Sequence, residues 1–276
     1  MLPVSNEIIQ LILSYVRNKS NGEPLEMAVD VGCGTGRYTA PLAPHFRRVL
    51  GIDISESQIN LAKQYNLADN VSYMVASAEK LPMKNDSVDL VNVGLAAHWF
   101  ILDKFVNEAD RVLKKNGCLA VHAFYPGNDE IEYEDLSHDL NVVMAEVWDT
   151  LNQHCDDKIL EYGFSQYKQI FEAVPLKDKE WITDIPVTYQ MSLLDVLGFI
   201  QSIITYQTLL EKDPMKAEEF ITKTKEKCFT SSSSKIKVKS SDEVQTWLFL
   251  QILGDKADSA VLNVRVKHFC VLACKH

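Results

Sequence analysis

Residues 25–36 read LEMAVDVGCGTG, and the fold turns on how they are read. Leu25 to Val31 is a short apolar run of strand type. It ends in three glycines at alternate positions, Gly32, Gly34 and Gly36. Glycines at this spacing leave the backbone open to a ligand, because no Cβ stands in the way. In open α/β sheets ligands bind beyond the carboxyl ends of the strands, so this turn marks the first candidate site. A dinucleotide fingerprint fails on spacing: after Gly32 and Gly34 the third glycine position is Arg37, and after Gly34 and Gly36 it is Thr39. A phosphate-binding Walker loop fails too, since no Lys-Ser or Lys-Thr follows.

Outward from the turn, short apolar runs alternate with helical patterns. Strands are expected in "RRVLGIDI" (47–54), "NVSYMVA" (70–76), "SVDLVNV" (87–93) and "CLAVHAF" (118–124). Helices are expected in "SNEIIQLILSYVR" (5–17), in a proline-interrupted "RYTAPLAPHF" (37–46) and in "SESQINLAKQYN" (55–66). A further helix, "ILDKFVNEADRVLKKNG" (101–117), is expected to close on Gly117. Strands of this kind separated by helices predict an α/β fold: a doubly wound, Rossmann-like, mostly parallel sheet with helices on both faces.

After residue 126 the pattern changes. Helices are expected over 129–155, 162–174, 192–213 and 214–228, with "WITDIPVTYQ" (181–190) extended between them. "SSSSKIKVKSS" (231–241) reads as a flexible interruption and "DEVQTWLFLQIL" (242–253) as a helix. The organisation read from this is one domain over 1–276. It has a cofactor-type core at 25–125, a mostly helical lid insertion at 127–258 and a strand at 259–274 returning to the sheet.

Composition excludes some classes. The 276 residues carry a formal net charge of −10, which opposes a nucleic-acid partner. The six cysteines are spread without a CxxC pair, so neither a disulfide framework nor a metal site is expected. No apolar run is long enough to span a bilayer, and no signal peptide is visible, so a cytoplasmic, monomeric protein is the expectation.

The pattern Asp30-x-Gly32-x-Gly34-x-Gly36 resembles the first motif of the class I S-adenosylmethionine-dependent methyltransferases. "GIDIS" at the end of the next strand and "ASAEKLP" (76–82) after the third follow in the same order. "AAHWF", "EADRVLKKNGCLAV" and "VKHFCVLACK" are similar to the trans-aconitate methyltransferase-like branch of small-molecule methyltransferases. The resemblance implies S-adenosyl-L-methionine as cofactor, held by Asp30, Gly32, Cys33, Gly34, Thr35 and Gly36. It places Asp53 on the ribose hydroxyls with Ile54 beside it, and Ser77, Ala78 and Glu79 along the adenine. Val93 and Gly94 would border the methionine portion. It also implies a further N-terminal segment covering the cofactor, so a truncated, cofactor-binding pseudoenzyme stands as an alternative.

For the acceptor, a small-molecule carboxylic acid is the first expectation by resemblance, and a phenolic or quinone-like hydroxyl the alternative. A carboxylate is already ionised at neutral pH and needs no base. His98 is the candidate catalytic residue, as an acceptor-positioning group, although packing at a helix start explains it equally well. Trp99, Tyr206 and Gln207 are the other candidate substrate residues, with core or interhelical packing as the alternative. His122 on the fifth strand reads as a core histidine with its hydrogen bonds satisfied.

Overall fold

Residues 2–125, 127, 129–229 and 260–276 are described by a computed structural model. The expectations for 231–241 and 242–253 lie outside these residues. The chain divides into two compact units. A sheet unit holds Val4–Tyr125, Glu161–Ile185 and His268–His276; a helical unit holds Met1–Pro3, Pro126–Leu160 and Pro186–Lys267.

The sheet unit starts with helix α1 (Asn6–Lys19), whose N-cap Ser5 accepts from the Ile8 backbone. Strand β1 (Met27–Val31) follows, then β2 (Arg48–Asp53), α2 (Glu56–Tyr65), β3 (Val71–Val75) and β4 (Val88–Gly94). Helix α3 (Leu102–Val112) leads into β5 (Leu113–Phe124). Within this unit the strand order is β3-β2-β1-β4-β5, all parallel. The second half of β8 (Val261–Cys274) then pairs antiparallel with β5, from Cys118↔Cys274 to Phe124↔His268. The fold is the expected Rossmann-like one. Every residue of β1 is buried, which is why it is apolar apart from Asp30 and does not alternate. The order reverses between β1 and β4, so the glycine turn after β1 and the exit of β4 flank the switch point where such sheets bind ligands.

Two local expectations are corrected here. Helix α3 ends at Val112, five residues before Gly117, and β5 begins at once. The residue in the left-handed region is Asn116 (φ 64°). Lys114 to Gly117 bulge out between the Val88↔Leu113 and Leu90↔Cys118 pairs. Gly117 serves close approach instead of capping, since an added Cβ would stand 2.7 Å from the Val88 carbonyl oxygen. The helix expected over 162–174 is broken into α5 (Asp157–Phe164) and α6 (Lys168–Ala173). Gln166 and Tyr167 between them are both left-handed, at φ 50° and 62°. Tertiary contacts hold that break: the Trp181 indole donates to the Gln166 carbonyl at 2.8 Å, and Tyr167 is buried against Phe269.

In the helical unit, β6 (Glu130–Glu132) pairs with the first half of β8, and α4 (Ser137–Asn152) follows. Strand β7 (Asp178–Ser192), which starts in the sheet unit, ends in this one and leads into α7 (Leu193–Ser202), α8 (Ile204–Lys212) and α9 (Pro214–Phe229). The single helix expected over 192–213 is interrupted at the extended Ile203, where α7 and α8 bend by 66°. The Ser202 hydroxyl turns back to donate to the Phe199 carbonyl at 2.7 Å at the end of α7. No single described helix is long and apolar enough to cross a membrane. Helix α7 starts on a reciprocal box: Ser192 Oγ accepts from Asp195 N, while the Asp195 carboxylate accepts from Ser192 N. Ser192→Ala is expected to lower stability by about 1 kcal/mol, read as a small fall in thermal midpoint with an unchanged circular-dichroism spectrum.

Candidate functional site

The glycine turn is built from left-handed backbone at every second residue, with φ of 68°, 54° and 85° at Gly32, Gly34 and Gly36. The three glycines serve different ends. An added Cβ at Gly32 would lie 2.5 Å from the Ala96 Cβ and 3.2 Å from Phe100. One at Gly36 would collide with the Tyr73 hydroxyl. One at Gly34 would meet nothing nearer than Gln58 Oε1 at 3.8 Å, so the Gly34 backbone faces open space. Between them Cys33 is buried, its thiol pushed up by burial, and its N–H donates to the Ile52 carbonyl at 2.9 Å. Thr35 is half-buried.

Two aspartates anchor this turn. Asp30 is fully buried in β1. One of its oxygens accepts from Thr39 Oγ1 at 2.6 Å and the other from Asn92 Nδ2 at 2.7 Å. Burial lifts its carboxyl to about 6, and those two hydrogen bonds pull the other way. Asp53, at the end of β2, accepts from the Gly34 N–H at 2.9 Å through Oδ2 and from the Ser55 N–H at 2.8 Å through Oδ1. Each oxygen retains a further acceptor position. Ile54 beside it is 79% exposed, a large apolar side chain presented to solvent.

After β3, the Ser77 hydroxyl donates to Glu79 Oε2, and Glu79 Oε1 accepts from the Ile101 N–H at 2.8 Å. Burial works against the charge on Glu79, but these hydrogen bonds hold its carboxyl below the ordinary value. Ala78 is buried between them. Glu79 thereby ties the turn after β3 to the start of α3.

At the exit of β4, Val93 is buried and Gly94 sits under two rings. An added Cβ there would stand 2.5 Å from Tyr38 Cδ2 and 3.0 Å from His122 Cε1. A short 3-10 turn (Ala97–Trp99) follows. It carries His98, whose Nδ1 lies 3.2 Å from the Tyr167 hydroxyl, and Trp99, which is 60% exposed. In the helical unit, Tyr206 is buried on α8 and donates to the Ala217 carbonyl at 3.4 Å. Gln207 Nε2 donates to the Gln201 carbonyl at 2.6 Å, satisfying an acceptor at the end of α7.

The structure adds residues that local reading passes over. Thr39, Asn92, Tyr38 and Tyr167 each touch a candidate, and Tyr167 does so from 69 positions away. Asn92 had a visible signal: a polar residue inside the apolar run of a parallel strand needs a buried partner. A cleft of about 590 Å³ lies at the opposite strand ends, lined by Met27, Arg48, Asn70 and Lys84, and includes none of these residues. Asp178, Cys274 and His276 bring three ligand-type atoms within 4.8 Å of one another, but Asp178 already accepts from Lys19 at 2.5 Å and sits 2.9 Å from His276.

Comparison with known proteins gives a methyltransferase domain and its fold. Residues 29–121 match the family model described as a methyltransferase domain. A Dictyostelium discoideum protein named as a methyltransferase is 28% identical over 75% of this chain and 73% of its own length. Bacillus subtilis YcgJ, an uncharacterized methyltransferase, is 29% identical over 58% of this chain and 61% of its own. The YcgJ crystal structure superposes with a TM-score of 0.52, covering 97% of this chain and 99% of that one. A structure from Anaeromyxobacter dehalogenans, described as a type II methyltransferase, reaches 0.65 over 96% and 97%, at 19% identity, a likeness of fold.

Proposed function

We infer, for a chain that carries a class I S-adenosylmethionine-dependent methyltransferase domain, that it methylates an oxygen of a small molecule. The observation that carries this reading is Gly34. Its backbone is left-handed, open on the side where a Cβ would be, and tied by its N–H to Asp53. That is a cradle which a side chain would fill and a flat amino-acid or ribose portion suits.

The residues proposed to hold the cofactor follow from that cradle. Gly32 to Gly36 present backbone, with Cys33 and Thr35 between. Asp53 offers its remaining acceptor positions to two ribose hydroxyls, and the exposed Ile54 supplies an apolar wall beside them. Ser77, Ala78 and Glu79 border the adenine, and Val93 with Gly94 borders the methionine portion. Asp30 acts from below. Both its oxygens are engaged inside the protein, so it fixes the turn through Thr39 and β4 through Asn92. When bound, S-adenosylmethionine supplies a methyl group on a sulfonium, which an acceptor displaces in line.

The chain's own task is then to orient the acceptor and exclude water. His98, oriented by Tyr167, and the exposed Trp99 are proposed to do this at the exit of β4. Tyr206 and Gln207 stay acceptor-pocket proposals from the sequence. The two oxygen acceptors in view are a carboxylic acid and a hydroxyl.

Calorimetry with S-adenosylmethionine and S-adenosylhomocysteine tests the reading. The protein is expected to bind both. Asp53→Ala, losing charge-assisted hydrogen bonds, is expected to weaken both by about 10- to 100-fold. No binding to the wild-type protein would sink the proposal, and unchanged affinity in the variant would remove Asp53 from it.

A further inference from the structure

Three buried polar atoms in the sheet unit, on the face of β4 and β5 at Gly94, have no hydrogen-bond partner among the described residues. They are Asn92 Oδ1 and both ring nitrogens of His122. Both side chains are 0% exposed. They share a face. Asn92 and Gly94 alternate along β4, Gly94 pairs with His122 across β4 and β5, and the His122 ring lies where a Gly94 Cβ would point. The sequence reading of His122 as a satisfied core histidine is therefore overturned. The large majority of buried polar side-chain atoms in folded proteins are bonded, so an imidazole with two unmet nitrogens calls for a partner.

The surroundings say what kind. Burial drives the His122 ring down to about 3, with nearby His268 adding to it, so the ring is neutral at physiological pH. A neutral imidazole has one N–H donor and one bare nitrogen acceptor. Tyr38 packs edge-on to it at 4.6 Å, and burial holds His268 neutral as well, down to about 4. A carboxylate could accept from the N–H but would bury its full charge against two neutral imidazoles, and the two charges that act on Tyr38, Arg37 and Asp30, are of opposite sign. A hydroxyl can donate to the bare nitrogen or accept from the N–H. We propose that His122 is a further acceptor-contacting residue of the methyl-transfer site, beside His98 and Trp99, and that it selects a small neutral acceptor bearing a hydroxyl, of phenol or catechol type, over a carboxylate. The proposal rests on the methyltransferase reading above and replaces the carboxylic acid expected from resemblance. On this proposal an acceptor reaches the ring beside Tyr38, which packs edge-on against it.

The test titrates catechol and benzoate, by calorimetry, into the complex of the protein with S-adenosylhomocysteine. His122→Phe keeps the ring shape and removes both nitrogens. The wild-type complex is expected to bind catechol in preference to benzoate. The variant is expected to bind S-adenosylhomocysteine unchanged, to lose about ten-fold or more in catechol affinity, and to melt no lower than wild type, because two unsatisfied nitrogens are gone. Benzoate bound as well as catechol, or no catechol binding at all, overturns the proposal. So does catechol affinity unchanged in the variant. Should the variant fail to fold, the wild-type catechol-against-benzoate comparison still decides the acceptor class. Failure of S-adenosylhomocysteine itself to bind would mark the parent reading as the one at fault.

Discussion

A Gly32→Val protein is expected to lose about 2–5 kcal/mol of stability and all measurable affinity for S-adenosylhomocysteine. Two costs coincide at this position. The backbone is held at φ 68°, which a β-branched residue resists, and the first added carbon would already stand 2.5 Å from Ala96. Neither neighbour can yield easily: Ala96 and Phe100 are buried. Gly34→Ala provides the contrast. Its Cβ would meet open space, so about 1 kcal/mol of backbone strain is expected while the ligand cradle is filled. The pair separates folding from binding. Urea unfolding should show a large loss for Gly32→Val and a small one for Gly34→Ala, with ligand affinity falling in both. Full affinity in Gly34→Ala would mean that nothing lies against that backbone.

The second large effect is a pH dependence centred on Asp30. Its carboxyl is raised by burial from 3.8 to about 6, against the pull of Thr39 and Asn92 and with a further push from Asp53. A carboxyl whose folded pKa is raised contributes stability that is fully present below the unfolded value. That stability is lost as pH rises through the folded value. From roughly pH 4 to pH 7, wild-type protein is therefore expected to lose about 2 kcal/mol relative to Asp30→Asn, which cannot ionise. Urea unfolding of both proteins across this range measures the difference. A gap that stays constant with pH would show that Asp30 ionises as easily folded as unfolded.

Strands β1, β2, β4 and the second half of β5 were legible because a parallel strand covered on both faces is a short, mostly apolar run, and edge strand β3 by its partly alternating Val-Ser-Tyr-Met-Val. The site was legible where one local motif sets it: the alternate glycines, Asp53 nineteen residues beyond Gly34, and the Ser77–Glu79 segment. What stayed hidden is set by distant contacts. The break at Gln166 and Tyr167 has no glycine or proline to announce it, and it is held by Trp181 and Phe269. Gly117 looked like a helix cap because it follows Lys114, Lys115 and Asn116, a polar cluster that proves to be a bulge in β5. His122 looked like core because its neighbours in sequence are apolar; that its nitrogens are unmet shows only in three dimensions.

The glycine turn also settles which kinds of change its stretch can absorb. Left-handed positions fall on residues 32, 34 and 36, with Cys33 and Thr35 between them in other conformations. The turn is thus a reading frame of two. Exchanging the side chain at 33 or 35 leaves the frame intact. Inserting or removing one residue shifts it, passing a positive-φ position to a cysteine or to a β-branched threonine that sterics bar from it. Variation in identity is tolerable at 33 and 35, and variation in length is not.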